Sequence, residues 1–172
     1  MKNIALIGYM GSGKSTLAKI VGESHNIPVV DLDSFIEESE GRTISEIFSL
    51  KGEIFFRKIE SKYLQELALR SDRFILSVGG GTPVYGNNME LLSNSFTTVY
   101  LRANVPTLYQ RLSKNKDSRP LIRSVSDENL AEFIGKHLFE RSPFYEKSEI
   151  LIDVNNKSLK DSILELNNLF NE

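Results

Sequence analysis

The sequence contains no cysteine. This absence excludes disulfide bonds and thiolate metal sites, although it does not identify the compartment in which the chain works. Histidine is nearly as scarce, since His25 and His137 are the only two. Neither has a ligand partner at helical spacing, so we expect both to lie on the surface or in helix packing rather than on a metal ion.

Long apolar runs and an excess of one charge are also missing. No run approaches the roughly 20 apolar residues that cross a bilayer, and the four apolar residues after Asn3 are too few for the core of a signal peptide. The formal net charge of -2 provides no basic field for a nucleic acid. These features predict a cytoplasmic protein that acts neither on nucleic acid nor at a membrane.

The length of 172 residues suffices for one compact domain and is short for two. No internal repeat or low-complexity linker divides the chain. We therefore expect a single domain over residues 1–172.

Five short apolar runs alternate with segments of helical period, at residues 4–7, 28–30, 74–78, 97–101 and 150–152. The last helical segment is the clearest, because Leu159, Ile163, Leu166 and Phe170 recur at spacings of three and four. Such alternation predicts an α/β fold with three layers, α/β/α, around a five-stranded parallel sheet. Ligands of such sheets bind beyond the carboxyl ends of the strands.

The motif GYMGSGKST at residues 8–16 directly follows the first apolar run. It has the glycine, lysine and hydroxyl spacing of a phosphate-binding loop, and strand, loop and helix occur in the required order. A simple Gly/Ser turn before a helix is the alternative. The motif predicts that the chain binds a nucleoside triphosphate with Mg²⁺, through the residues Gly11, Ser12, Gly13, Lys14, Ser15 and Thr16.

Two of these residues have distinct tasks in the predicted site. A helix that begins near Lys14 adds the positive end of its dipole, and the ammonium of Lys14 reaches the β- and γ-phosphates. The hydroxyl of Ser15 is placed to ligate Mg²⁺.

The second apolar run ends in Asp31-Leu32-Asp33. In extended geometry the two carboxylates point the same way, toward the phosphate end of the sheet. Asp31 suits an outer-sphere partner of the Mg²⁺ held by Ser15. Asp33 suits an acceptor hydroxyl, which it could orient for attack and deprotonate. The alternative is that Asp33 only caps the helix that follows.

Arg57 and Glu60 lie three residues apart on a predicted helix. If Glu60 orients the guanidinium, Arg57 presents a fixed fork to a carboxylate or a phosphate. A solvated ion pair on the helix surface would look the same in the sequence.

The third run leads into three consecutive glycines, Gly79, Gly80 and Gly81. Their lack of side chains indicates that something approaches the backbone closely. We favour a ligand over a tight strand-to-helix turn.

A basic segment stands out on this slightly acidic chain, with Arg111, Lys114, Lys116, Arg119 and Arg123 set against the single acid Asp117. It predicts a mobile lid at residues 112–124 that closes over ATP and supplies an arginine to the γ-phosphate. An exposed charged loop is the alternative.

Taken together, the ordered motifs resemble those of the shikimate kinases, at residues 8–16, 31–33, 52–60, 79–82, 119–121 and 141–145. The resemblance implies a fold like that of the nucleoside monophosphate kinases, with strand order 2-3-1-4-5. It further implies transfer of the γ-phosphate of ATP to the 3-hydroxyl of shikimate, a step of aromatic amino acid biosynthesis. The acceptor-binding region would then span residues 33–60.

The resemblance also assigns roles to single residues. Asp33 would hold the shikimate hydroxyls and act as the base, while the carboxylate and ring would be bound by Arg57, Gly79, Gly80, Gly81 and Arg141. Arg119 would reach the transferred phosphate together with Lys14, and Arg111 would stack on adenine. The expected partners are shikimate and ATP, and the chain is expected to be a monomer. A kinase for another hydroxy acid such as gluconate, or a non-catalytic nucleotide-binding module, are the alternatives.

Overall fold

The computed structural model describes residues 2–114, 120–155 and 157–170. Five parallel strands form one sheet in the order β2-β3-β1-β4-β5, which confirms the predicted fold class and strand order. The strands are β1 (Asn3–Ile7), β2 (Val29–Asp31), β3 (Ile75–Ser77), β4 (Phe96–Arg102) and β5 (Ile150–Asp153).

The central strand β1 explains why the fold has three layers. Four consecutive residues, Ile4, Ala5, Leu6 and Ile7, are all buried. Because successive side chains of a strand point to opposite faces, both faces of the sheet must be covered. β2 lies at an edge, and its Val29 is partly exposed.

The part of the chain that the structure describes contains eight α-helices and a 3-10 turn at Thr82–Val84. The helices are α1 (Lys14–His25), α2 (Leu32–Glu40), α3 (Ile44–Ala68), α4 (Asn88–Ser95), α5 (Val105–Ser113), α6 (Pro120–Arg123), α7 (Asp127–Tyr145) and α8 (Leu159–Asn168). α1 packs against α8, α2 packs against α3, and α5 packs against α7. None of the helices within the described ranges is both long and apolar enough to span a membrane.

Helix α3 is two helical segments joined at Gly52. Gly52 has a φ of 80° and a ψ of 172°, a conformation that residues with a Cβ rarely adopt. Thr43 and Glu46 form a capping box at the start of the first segment. The second segment carries Arg57 and Glu60, so the kink sets the direction in which both side chains leave the helix.

The C-terminal helix α8 confirms the predicted apolar face in part, because Ile163, Leu166 and Phe170 are at least partly buried while Leu159 is half exposed. Leu166 is fully buried, and Ser158 caps the helix by accepting the backbone N–H of Asp161. His25 stacks on Phe170 with ring centroids 4.8 Å apart, so the prediction of a helix-packing role for this histidine is confirmed.

Candidate active site

Three segments of the predicted site meet at the carboxyl edge of the sheet. The phosphate loop follows β1, Asp31 ends β2, and the triple glycine follows β3. These three strands are neighbours in the sheet, with β3 between β2 and β1. Parallel strands end at the same edge, which is where such folds bind their ligands.

The phosphate loop has the backbone that its sequence predicts. Gly11 and Gly13 have φ values of 81° and 101°, and α1 begins at Lys14. A Cβ built on Gly13 would meet no atom within 4 Å, so there is open space beside the loop. Within the described residues, the buried Oγ of Ser12 has no hydrogen-bond partner. This combination of space, helix N-terminus and an unsatisfied hydroxyl fits a bound phosphate.

Lys14 places a positive charge inside this loop. Its side chain is largely buried, and Nζ donates to the carbonyl oxygens of Gly8 at 2.7 Å and Tyr9 at 3.0 Å. The same ammonium is close enough to Asp33 to lower the pKa of that carboxyl. Ser15 and Thr16, the remaining residues of the motif, are exposed on the first turn of α1.

Of the two aspartates, Asp31 ends β2 with the predicted extended backbone, but Asp33 does not share that geometry. Asp31 is the N-cap of α2, and its Oδ1 accepts the backbone N–H groups of Asp33 at 3.1 Å and Ser34 at 3.2 Å. Asp33 therefore lies in the first helical turn, and the alternative that Asp33 is itself the cap is wrong. The helix begins early because the Asp31 carboxylate satisfies N–H groups that the helix leaves unpaired.

Asp33 is the titratable group whose environment bears most directly on catalysis. Solvent reaches its side chain, yet desolvation by the surrounding protein raises its pKa to about 6. The negative charges of Asp31 and Glu60 push the pKa further up, while Lys14 and Arg57 oppose this rise. A carboxylate with a pKa near 6 is ionised at neutral pH and is a stronger base than an ordinary aspartate.

Arg57 and Glu60 form a largely buried pair rather than a solvated one. Nη1 of Arg57 donates to Oε2 of Glu60 at 2.8 Å, and the Glu60 side chain is 1% exposed. The other oxygen of Glu60 accepts the hydroxyl of Thr82 at 2.7 Å. Glu60 is thereby fixed between two elements, and it holds the guanidinium in one orientation. The surface ion pair left open by the sequence is excluded.

The triple glycine is where the two predicted acceptor arginines converge. A Cβ on Gly81 would lie 2.5 Å from Nη2 of Arg57, and one on Gly80 would lie 3.2 Å from Nη1 of Arg141. None of the three glycines has a positive φ, so backbone conformation does not explain them. The glycines make room for side chains of this same chain. The sequence analysis considered only a bound ligand or a tight turn, so it did not anticipate this reason.

Gly79 and Tyr145 complete this floor. A Cβ on Gly79 would lie 3.2 Å from Oγ1 of Thr82 and 3.6 Å from Oδ1 of Asp33. The fully buried Tyr145 donates its hydroxyl to the carbonyl of Gly80 at 2.6 Å, which ties α7 to the loop. Thr82 and Tyr145 are the last residues of the motifs at residues 79–82 and 141–145, but no local pattern in the sequence indicated which residues they contact.

Arg111 braces the phosphate loop from α5. Its Nη1 donates to the carbonyls of Gly11 at 3.1 Å and Ser12 at 3.2 Å, and its Nη2 donates to Val154 at 3.4 Å. Sequence reasoning missed this bracing contact. Stacking of Arg111 on adenine stays a prediction, and the contact with Val154 places the side chain beside the loop that follows β5.

Part of the predicted lid falls outside the described residues. Arg119 lies in the segment 115–119, so the structure does not describe its position. The described remainder includes the end of α5 and the single turn of α6.

This parallel sheet has the strand order 2-3-1-4-5 and a phosphate loop after its central strand, and arginines from α3 and α7 converge with Asp33 on the glycines that follow β3. These features define a P-loop kinase of the nucleoside monophosphate kinase type. A family model described as "Shikimate kinase" matches residues 10–169. The chain belongs to the shikimate kinase family, and it is a phosphotransferase that uses ATP and an alcohol group as acceptor.

Known relatives span nearly the whole chain. A shikimate kinase of Flavobacterium psychrophilum is 42% identical over 170 residues, covering 98% of this chain and 99% of that protein. The crystal structure of shikimate kinase from Bacteroides thetaiotaomicron is similar with a TM-score of 0.90, 34% identity and 99% of both chains covered. The shikimate kinase from Acinetobacter baumannii in complex with shikimate has a TM-score of 0.86 at 32% identity, with 99% and 93% covered.

Proposed function

We propose that the cleft at the carboxyl edge of the sheet is where this shikimate kinase carries out its reaction, the ATP-dependent phosphorylation of the 3-hydroxyl of shikimate. The observation that carries the proposal is the approach of Arg57 and Arg141 to adjacent residues, Gly81 and Gly80, beside Asp33. Shikimate is a ring with one carboxylate and several hydroxyls. The arginines of this cleft offer positive charge to the carboxylate of shikimate, and Asp33 offers an oxygen that accepts hydrogen bonds from the hydroxyls.

The two arginines bind the carboxylate of the acceptor. A guanidinium donates two parallel hydrogen bonds to a carboxylate, and this geometry needs the fork to be held still. Glu60 holds Arg57, and the floor at Gly80 and Gly81 lets both guanidinium groups lie close to the backbone. The acceptor is thereby oriented before any chemistry occurs.

Asp33 accepts the hydrogen bond of the attacking hydroxyl and then its proton. With a pKa of about 6, Asp33 is ionised at neutral pH and can accept that proton. The hydroxyl oxygen then bonds to the γ-phosphorus of ATP as the bond from that phosphorus to the β,γ-bridging oxygen breaks, and ADP leaves. Lys14 stabilises the charge that spreads over the transferred phosphoryl group. Arg119 completes this stabilisation from the lid, a role that the sequence motif alone supports.

Ser15 and Asp31 are the residues that would hold Mg²⁺. Ser15 is exposed in the first turn of α1 and Asp31 ends β2, so both could supply the hard oxygen atoms that Mg²⁺ prefers. Oδ1 of Asp31 already accepts two backbone N–H groups, which suits an outer-sphere role better than a direct bond. When bound, the ion neutralises phosphate charge.

The decisive experiment is a coupled ADP-release assay with ATP, Mg²⁺ and a panel of shikimate, quinate and gluconate. Of the three compounds, we expect only shikimate to be phosphorylated. Phosphorus NMR of the product should then show the phosphate on the 3-hydroxyl. Preference for gluconate would support the other hydroxy-acid kinase. Absence of turnover with tight ATP binding would support a non-catalytic nucleotide-binding module.

The chain is further proposed to act as a monomer in the cytoplasm, with residues 33–60 as the acceptor-binding region and residues 112–124 as the lid. Light scattering after size-exclusion chromatography tests the oligomeric state.

A further inference from the structure

The aromatic ring of Tyr9 lies beneath the guanidinium of Arg141. Tyr9 belongs to the phosphate loop and Arg141 to α7, and Cζ of Arg141 lies 5.5 Å from the ring centroid. At distances within about 6 Å the face of an aromatic ring attracts a guanidinium, most strongly where water is excluded. Tyr9 is 1% exposed and Arg141 is partly buried. The contact is therefore shielded from bulk solvent.

A hydrogen bond to the same helix fixes the orientation of the ring. The hydroxyl of Tyr9 and Nδ1 of His137 share a hydrogen bond of 3.3 Å. His137 and Arg141 lie one helical turn apart on α7, so they occupy one face of the helix. The His137 ring in turn packs against Phe133 at a centroid distance of 4.2 Å. The ring of Tyr9 is held at its tip as well as along its face.

The backbone of Tyr9 contacts the nucleotide side of the site. Its carbonyl oxygen accepts Nζ of Lys14 at 3.0 Å and the backbone N–H of Ser12 at 3.1 Å. A single residue therefore contacts both the lysine of the phosphate loop and the arginine above the acceptor floor. The phosphate-loop motif leaves this position open to any residue, so nucleotide binding does not by itself explain an aromatic ring there.

We propose that Tyr9 is a positioning residue for Arg141, whose guanidinium the ring holds against Gly80 for contact with the acceptor carboxylate. This inference rests on the proposed role of Arg141 in acceptor binding. Tyr9 does not contact the reacting atoms in this arrangement. Its replacement should therefore weaken the acceptor complex while the nucleotide complex and the chemical step stay nearly unchanged.

The test compares Tyr9→Leu with Tyr9→Phe by calorimetric titration of shikimate and of ADP. Tyr9→Leu removes the ring, and the dissociation constant for shikimate should rise about 2- to 30-fold while that for ADP stays within about twofold. Tyr9→Phe keeps the ring and should restore shikimate affinity to near wild type. If Tyr9→Leu does not fold, Tyr9→Met has a similar volume in a longer, more adaptable side chain without a ring, and it carries the same expectations.

Phe74→Leu is the matched control for loss of a buried aromatic ring. Phe74 is 1% exposed and precedes β3, at the opposite edge of the sheet from the site. This change should lower the free energy of unfolding without altering either dissociation constant.

Arg141→Ala, alone and combined with Tyr9→Leu, distinguishes the proposed function of Arg141 from the positioning role of Tyr9. If Arg141→Ala leaves shikimate affinity intact, the proposed function of Arg141 fails. If it weakens binding but Tyr9→Leu does not, the positioning role of Tyr9 fails alone. Equal losses for shikimate and ADP, or equal impairment by Leu and Phe, would also overturn it. In the Arg141→Ala background, Tyr9→Leu should add no further loss of shikimate affinity.

Discussion

The guanidinium of Arg57 lies directly against the backbone of Gly81. A Cβ at residue 81 would meet Nη2 at 2.5 Å and Cζ at 2.9 Å, distances that real Cβ atoms do not adopt. The backbone of Gly81 has ordinary right-handed helical angles, which alanine adopts without strain. The need for glycine at this position is therefore purely one of space for the arginine.

Gly81→Ala should displace Arg57 without disturbing the backbone. We expect the KM for shikimate to rise about 10- to 100-fold, the worth of one charge-assisted hydrogen bond, with the KM for ATP unchanged. Steady-state kinetics measures both. The matched control is Gly135→Ala on α7, where a Cβ would have its nearest neighbour at 3.8 Å and both constants should be retained.

Glu60→Gln should weaken acceptor binding by removing the charge that orients Arg57. Glu60 is buried between Arg57 and Thr82, so both contacts would have to reorganise around a neutral amide. We expect a higher KM for shikimate and a lower melting temperature. Glu53→Gln is the control, because Glu53 is 67% exposed and its oxygen lies 3.6 Å from Nε of Arg57. Equal effects of the two changes would contradict the orienting role of Glu60.

Asp33→Asn should lower kcat about 10²- to 10⁴-fold, because asparagine cannot take the proton of the acceptor hydroxyl. The KM for ATP should change far less, since the proposed contacts of Asp33 are to the acceptor. Steady-state assays at saturating ATP measure the loss. Turnover equal to that of the unchanged chain would refute the role of Asp33 as base.

The raised pKa of Asp33 predicts a particular dependence on pH. The active form is the carboxylate, and its pKa is raised to about 6, mainly by desolvation. Activity should therefore be constant above about pH 7 and fall with falling pH through about 6, toward a tenfold loss per pH unit. Carbon-13 NMR of labelled aspartate, assigned with Asp33→Asn, measures the pKa directly. A value near 4 would contradict this environment.

The same shift has a consequence for stability. An aspartate in an unfolded chain titrates near 3.9, so in the folded protein the ionised form of Asp33 is disfavoured. Its ionisation therefore lowers the free energy of unfolding progressively between about pH 4 and 6, and Asp33→Asn should remove this part of the pH dependence. Chemical denaturation at pH 4 and pH 7 compares the two proteins.

Arg119→Ala should reduce turnover on the order of 10³-fold if the lid supplies the arginine that stabilises the transferred phosphoryl group. Dissociation constants for shikimate should stay near wild type, because that contact forms only in the closed complex. Calorimetry and steady-state assays together test this. A large loss of shikimate affinity would reassign Arg119 to acceptor binding.

The strands and the phosphate loop could be predicted from the sequence because their signals are local. The apolar run at residues 97–101 became Phe96–Arg102, and the helix predicted near Lys14 begins at that residue. The wrong expectation of extended backbone at Asp33, and the alternative that Asp33 caps the helix, had a local cause as well. The sequence offers two aspartates that could cap the helix, and Asp31 forms the cap.

The environment of each functional charge required the tertiary structure. In the sequence, Arg57 and Glu60 are indistinguishable from an ordinary ion pair on a helix surface. Only the structure shows that Thr82, on a separate element, donates a hydrogen bond to the buried Glu60. The ring of Tyr9 and the side chain of His137 meet across 128 residues of sequence, a separation at which no periodicity carries information.

By itself, the sequence determined the class of fold, the phosphate-binding loop and the family, since these depend on short motifs and on the spacing of apolar residues. Only the tertiary structure decided which charges are buried, which carboxylate caps a helix and which aromatic ring lies beneath an arginine. Desolvation and close packing arise between distant segments, and they exist only once the strands have been brought to a common edge.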